Sequence, residues 1–261
     1  MENLSYIGQL NKLTASFLRR GVMTNCFVAA SEFEKHIENG SVFYHAKDDA
    51  LIILLRLQNH DRLYYYIKEG GSPPHLKLTR PTVMEIVRRD EYQARASLLW
   101  QSVGFKLIVR RIRMECINPA QTSAADNGVY IASREQEEEI MRMLQSGFDS
   151  LTGCIPTMDE LAASVARKEF LCIEENGEML GLLQYNNDKA TSEILHLVVK
   201  AEGRGRGLSD RLVNYYKSQL TGLNKRLRVW TNEDNMRARA FYEKNGYRCD
   251  GLSSDVLLAV K

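Results

Sequence analysis

The residues best suited to chemistry lie between Leu195 and Ser209. Leu195-His196-Leu197-Val198-Val199 reads as a strand, and Lys200 to Gly207 as a loop with glycines at Gly203, Gly205 and Gly207. From Leu208 onward the pattern is an amphipathic helix. Glycine accepts positive φ and lets a ligand approach the main chain closely. The first N–H groups of a helix have no partner inside it, and the helix dipole favours an anion there. Together these features describe a diphosphate cradle. The plain alternative is a flexible glycine turn, and the loop alone does not decide between them. Two better-known phosphate loops do not fit. A nucleotide-triphosphate loop ends Gly-Lys-Ser/Thr, whereas this one ends Gly207-Leu208-Ser209. A dinucleotide fingerprint wants an acid about 20 residues on, where this chain has Gly222-Leu223-Asn224-Lys225-Arg226.

A second segment resolves the choice. Asn235-x-x-Ala238-x-x-Phe241-Tyr242-x-x-x-Gly246-Tyr247 follows the loop by some thirty residues. Arg204-x-x-Gly207-x-Ser209 followed by that segment closely resembles the two signature motifs of the GNAT superfamily of N-acetyltransferases, over about half of the chain. Ser209 departs from the family's usual Gly or Ala, but it is small and keeps its N–H.

The resemblance implies acetyl-CoA as co-substrate and an amine as acceptor. It implies that the backbone amides of Arg204, Gly205, Arg206, Gly207, Leu208 and Ser209 bind the CoA pyrophosphate. Leu197, Val198 and Val199 would pair with the pantetheine arm like an added strand, and Asn235 would hold the arm from the other side. Tyr242 would protonate the leaving thiolate, since a hydroxyl donor lowers the cost of expelling it; its plain alternative is a core tyrosine. The attacking amine must lose a proton, and Glu193 and His196 are the candidate bases on the strand before the loop. They sit three apart, so strand alternation sends them to opposite faces. His196, between two leucines, also reads as a satisfied core histidine.

The elements that must position these residues form a mixed α/β domain. Val129–Ala132 is a strand. Ile140, Met141, Leu144 and Phe148 recur at helical spacing, and Pro156-Thr157-Met158-Asp159-Glu160 looks like a helix start. Strands Phe170–Glu174 and Met179–Tyr185 flank Asn176-Gly177, a hairpin signal. Glu193–Val199 is a strand and Leu212, Val213, Tyr216 and Leu220 mark one side of the next helix. Leu227–Thr231 is a strand, Asn235–Asn245 a helix and Asp255–Val260 a closing strand.

The first half has a similar cadence. Ile7, Leu10, Leu13 and Phe17 mark an amphipathic helix; Ala50–Leu57 and Leu63–Ile67 flank Asn59-His60-Asp61; the strand Val83–Val87 precedes a helix from about Glu91. Gln93 to Phe105 can be laid over Asn235 to Tyr247, with Gln93 for Asn235 and Trp100 for Tyr242. The expected fold class is therefore two GNAT-like mixed-sheet domains in tandem, the first degenerate: 1–117 without a CoA cradle, a small polar linker over 118–128, and 129–261 with the acetyl-CoA site. Tyr64-Tyr65-Tyr66 reads as a strand packed on both faces, and Arg110-Arg111-Ile112-Arg113 as a solvated strand edge.

Composition bounds the rest. With 35 basic and 33 acidic residues the net charge is +2, which argues against a nucleic-acid face. No apolar run is long enough to span a bilayer, and Met1-Glu2-Asn3 opens no secretory signal. Cys26, Cys116, Cys154, Cys172 and Cys249 are odd in number and scattered, which reads as reduced thiols in a cytoplasmic protein, each a small core residue, with no metal spacing. No cysteine lies in the motifs, so direct attack by the amine is the expected mechanism. The acceptor, a small molecule or a peptide, is not legible, and a monomer and a homodimer are both compatible. Two other functions remain open: an acyl-CoA-binding module without turnover, and an acyltransferase using a longer acyl chain.

Overall fold

Alternating apolar residues build the strands and a 3.6-residue period builds the helices. The computed structural model describes residues 1–18, 21–89, 91–117, 128–220 and 226–260. In chain order the first part carries β1 (Glu2–Asn3), α1 (Ile7–Ala15), β2 (Met23–Thr24), α2 (Glu34–Glu38), β3 (Val42–Ala46), β4 (Ala50–Arg56), β5 (Asp61–Ile67), β6 (Thr82–Arg88), α3 (Glu91–Ser102) and β7 (Lys106–Ile117). The second carries β8 (Val129–Ile131), α4 (Glu137–Gly147), α5 (Met158–Ala166), β9 (Phe170–Glu175), β10 (Glu178–Asn187), β11 (Thr191–Val199), α6 (Leu208–Gln219), β12 (Arg226–Asn232), α7 (Met236–Lys244) and β13 (Arg248–Ala259).

The chain forms two compact units: Met1–Arg111 with Leu252–Lys261, and Ile112–Gly251. The boundaries fall inside β7 and β13. These units differ from a division at 1–117 and 129–261, because the last strand is twice as long as its apolar half and residues Ser253–Ala259 pair antiparallel with β6. The linker expected over 118–128 lies, but for Gly128, outside the described residues.

In the first unit the strand order is β1-β3-β4-β5-β6-β13-β7, with β5 and β6 parallel at Asp61–Thr82 and Arg62–Val83. Tyr65 and Trp100 fill one side of this sheet with Ile52, Leu63 and Met84, while Tyr64 and Tyr66 pack with Leu10, Phe17 and Phe33 on the other. The triple tyrosine is thus buried on both faces. Arg110 and Arg111 are not a solvated edge: Arg110 Nε lies 2.7 Å from Asp255 and Arg111 Nη1 3.2 Å from Glu85.

In the second unit the order is β13-β7-β12-β11-β10-β9-β8, antiparallel from β8 to β11 and parallel between β11 and β12. Leu208, Leu212, Val213 and Tyr216 of α6 pack on one face with Ile194, Leu227 and Val229. Ile140, Leu144 and Leu161 of α4 and α5 cover the other with Phe170, Cys172 and Leu182. Here too Arg113 is paired, 2.6 Å from Asp250. Thr157 caps α5 through a capping box with Glu160. Cys116 and Cys172 are core residues, but Cys154 and Cys249 are exposed, which corrects the expectation that every cysteine is interior.

The overlay of Gln93–Phe105 on Asn235–Tyr247 has a structural counterpart. Each helix ends at a glycine with positive φ, +103° at Gly104 and +82° at Gly246. The next N–H reaches back five residues in both, Phe105 to Trp100 O at 3.2 Å and Tyr247 to Tyr242 O at 3.0 Å. Trp100 and Phe105 then meet edge to face at 5.2 Å, as Tyr242 and Tyr247 do at 5.5 Å. The two units are each mixed α/β and built on one pattern.

Candidate active site

Two local events in the second unit create the site. The parallel ladder between β11 and β12 runs from Thr191–Arg226 to Ile194–Val229 and goes no further, although both strands continue. At the same level β11 gains one residue against β10: Gln184 faces His196 and Tyr185 faces Ile194, which leaves Leu195 as a bulge. Leu197, Val198 and Val199 therefore lie on the stretch of β11 beyond the β12 ladder, paired with β10 on its other side.

The bulge also resets the alternation. Ile194 packs in the α6-side core, and Leu197 and Val199 pack against it, while Val198 packs on the α4–α5 side. Glu193 and His196 consequently share the α4–α5 face, and the expectation of opposite faces is corrected by the extra residue Leu195. Only the pairing register reveals this; the Leu-His-Leu sequence carries no bulge signal.

Beyond β11 the chain makes a turn of 3-10 helix at Ala201–Gly203 and enters the loop. Gly203 is a packing glycine, since a Cβ there would sit 2.8 Å from Leu208 Cδ1. Gly205 and Gly207 have φ of +75° and +74° and face open space. Gly207 is itself the N-cap of α6 and offers no side-chain acceptor, so the amides of Leu208, Ser209 and Asp210 keep the unpaired N–H groups of a helix start. The acid in that first turn, Asp210, is drawn toward α7 by Lys244 Nζ and Asn245 Nδ2, each at 3.1 Å. Glu175 at the end of β9 pairs with both Arg206 and Arg211, the latter at 2.8 Å. Arg204 is exposed and makes no ion pair among the described residues. Glu175 was not foreseen, because nothing in the sequence links the end of β9 to this loop.

Asn235 caps α7: its Oδ1 accepts the Ala238 N–H at 3.0 Å. Two turns on, Tyr242 is 6% exposed and its phenol makes no hydrogen bond among the described residues. Burial raises its pKa above the ordinary phenol value. His196 is 4% exposed, with Nδ1 2.7 Å from Gln184 Oε1 and Nε2 2.8 Å from the Gly153 carbonyl oxygen. Glu193 is half-buried on the same face, beside Arg228 across the parallel pair. The buried thiols are disfavoured as thiolates: burial pushes Cys172 up to about 12 and also raises Cys116. No group of His, Cys, Asp or Glu suited to a metal ion occurs among the described residues, and no described helix is long and apolar enough to cross a membrane.

The first unit handles the equivalent edge differently. Past Arg62–Val83, β5 is met by the chain's own β2, with Met23 opposite Ile67 and Thr24 opposite Tyr66. Asn25, buried, donates to Leu63 O at 3.0 Å and to Glu85 O at 3.2 Å and accepts the Tyr65 N–H at 2.8 Å. Thr24 Oγ1 donates to Tyr65 O at 2.6 Å. A short piece of chain thus fills the gap between β5 and β6 that the second unit leaves open between β11 and β12. Trp100, in the position of Tyr242, is fully buried in the core.

Comparison with known proteins agrees with this geometry. Residues 130–247 match the model of the acetyltransferase (GNAT) family. The uncharacterized protein YdhI of Bacillus subtilis (strain 168) is 31% identical over 80 residues, 30% of this chain and 49% of that protein, so the match spans about half the length of that relative. A GCN5-related N-acetyltransferase from Sphaerobacter thermophilus superposes with a TM-score of 0.58 at 13% identity, over 89% of this chain and 85% of that one. A tandem GNAT protein from the clavulanic acid biosynthesis pathway gives 0.56 at 11% identity, over 97% and 94%. At such identities the likeness is one of fold, and it extends over both units.

Proposed function

We propose that the chain is an acyltransferase, since residues 130–247 match the model of the acetyltransferase (GNAT) family, and that it moves an acetyl group from acetyl-CoA to the primary amine of a small molecule or peptide. The observation that carries this reading is the end of the β11–β12 ladder at Ile194–Val229, beside a glycine turn that delivers the start of α6. The pantetheine arm pairs with Leu197–Val199, the pyrophosphate takes the amides of Arg204–Ser209, and the side-chain amide of Asn235, whose oxygen is committed to its cap, holds the arm from α7.

A neutral amine attacks the thioester carbonyl carbon directly. Its surplus proton passes to Glu193, favoured over His196 because both imidazole nitrogens already have partners. The C–S bond breaks and the thiolate takes a proton from Tyr242, whose raised pKa keeps it protonated at neutral pH. The first unit is a copy without a CoA site, and its two parts act in the cytoplasm, as the odd, scattered cysteines suggest. Thiol release from acetyl-CoA with a panel of amines tests the reading. Tight CoA binding with no turnover on any amine points instead to a binding module, and turnover only with longer thioesters to a different acyl donor.

A further inference from the structure

We propose that His196 is a positioning residue that locks the loop between α4 and α5 as the wall of the acceptor side, and that it takes no part in proton transfer. This rests on the acyl-transfer reading above. The loop, Phe148 to Thr157, is folded by its own residues. Asp149 Oδ1 accepts from Leu151 N at 3.0 Å, Thr152 N at 2.9 Å and Thr152 Oγ1 at 3.0 Å. The Gly153 N–H then closes on Asp149 O at 2.7 Å. The turn is so tight that a Cβ at Gly153 would lie 2.5 Å from Asp149 O.

This preformed turn presents the Gly153 carbonyl as acceptor for the His196 Nε2–H at 2.8 Å, while the side-chain amide of Gln184 on β10 lies 2.7 Å from Nδ1 and, turned to present its N–H, donates to it. Phe148, the first loop residue, packs its ring edge to face on the imidazole at 4.6 Å. Both partners of the ring are buried or main-chain groups, so the imidazole is oriented from two sides and has no nitrogen left for a substrate. The bulge at Leu195 puts His196 on the same face as Glu193. A loop held by His196 therefore stands over the face from which an amine reaches Glu193. The cradle begins at Arg204, beyond the C-terminal end of β11 at Val199.

The test compares His196→Ala and His196→Gln with the wild-type protein by hydrogen exchange and by steady-state kinetics. One lost hydrogen bond to a buried carbonyl is expected to raise exchange in peptides spanning 148–157 about tenfold in His196→Ala. Peptides spanning 204–219 should not change. Gln carries an amide that can still donate to Gly153 O, so His196→Gln should stay close to wild type. In turnover with the best amine of the panel, KM for the amine should rise about tenfold while KM for acetyl-CoA and the shape of the pH profile stay the same. Unchanged exchange over 148–157 overturns the proposal. So does a fall in kcat of about 10²-fold or more with loss of a titrating limb, which is the signature of a base. If His196→Ala does not fold, Gln184→Leu, which frees the ring from its other partner, must show the same exchange pattern. Absence of turnover in the wild type on every amine would sink the acyl-transfer reading but leave the exchange comparison to decide the lock.

Discussion

Replacement of Gly207 by Val separates backbone strain from ligand exclusion. Gly207 has φ of +74°, and a Cβ there meets nothing within 4 Å, so the protein itself offers no clash. The cost to folding is the left-handed conformation alone, about 1–2 kcal/mol for an L residue and somewhat more when β-branched. That corresponds to a melting temperature lower by roughly 2–8 °C in a chain of this size. The cost to binding is larger. The branched side chain projects into the open space ahead of α6, where the unpaired amides of Leu208 and Ser209 would meet the diphosphate. Two hydrogen bonds to a charged group, at about 1.5–3 kcal/mol each, amount to roughly 10²–10⁴-fold in affinity. Gly177→Val is the matched control, because that glycine has φ of +80°, also meets nothing within 4 Å and sits in the β9–β10 turn. Calorimetric titration with CoA should find wild-type affinity in the control and none measurable in Gly207→Val, with similar melting temperatures. Wild-type CoA affinity in Gly207→Val would refute the cradle.

Tyr242→Phe should keep acetyl-CoA affinity and lower kcat by about 10²–10⁴-fold, as loss of a general acid does; steady-state thiol release at full activity would remove Tyr242 from the mechanism. CoA should titrate with a stoichiometry of one, because β2 and Asn25 already fill the corresponding edge in the first unit; a fitted value of two would show that unit competent. Asn25→Ala strips partners from Leu63 O, Tyr65 N and Glu85 O, and should cost about 2–4 kcal/mol by chemical denaturation while leaving CoA affinity as it was. Asp255 is buried, which alone would raise its pKa, but hydrogen bonds from Arg110 and Ser97 and the charge of Arg88 outweigh this and lower it. Its folded pKa lies below the unfolded one, so its contribution is present at neutral pH and lost as pH falls through the folded value, below about 4. Asp255→Asn should flatten that acid limb in thermal melts across pH, and an unchanged limb would assign it to other carboxylates.

Much of this was legible because local rules and the fold agreed. The Asn176-Gly177 turn has φ of +55° and +80° and joins β9 to β10 as its sequence demands. Leu212, Val213, Tyr216 and Leu220 are buried on the side their spacing selects. The glycine loop and the Asn235-to-Tyr247 segment fall on the expected elements. What escaped depends on partners distant in sequence. Arg248 to Ser254, with Asp250 and Gly251, has little strand character, yet it belongs to β13 because neighbouring strands pair with it. The arginines of β7 read as solvated because Asp250, Asp255 and Glu85 lie far along the chain. Asn25 carries no signal in the sequence; its value lies in the main-chain groups of β5 and β6 that it meets.

The division of β7 and β13 between units sets a timetable for synthesis. The antiparallel partner of Thr82–Arg88 is Ser253–Ala259, about 170 residues further along the chain. At 5–20 residues per second the ribosome needs roughly ten to thirty seconds to make it after β6 has emerged. Throughout that interval Val83, Met84 and Ile86 offer an apolar strand edge to any neighbour in a polysome. The second unit, complete within Ile112–Gly251, can close first. Of the two units, the one that begins first is thus the one that finishes last.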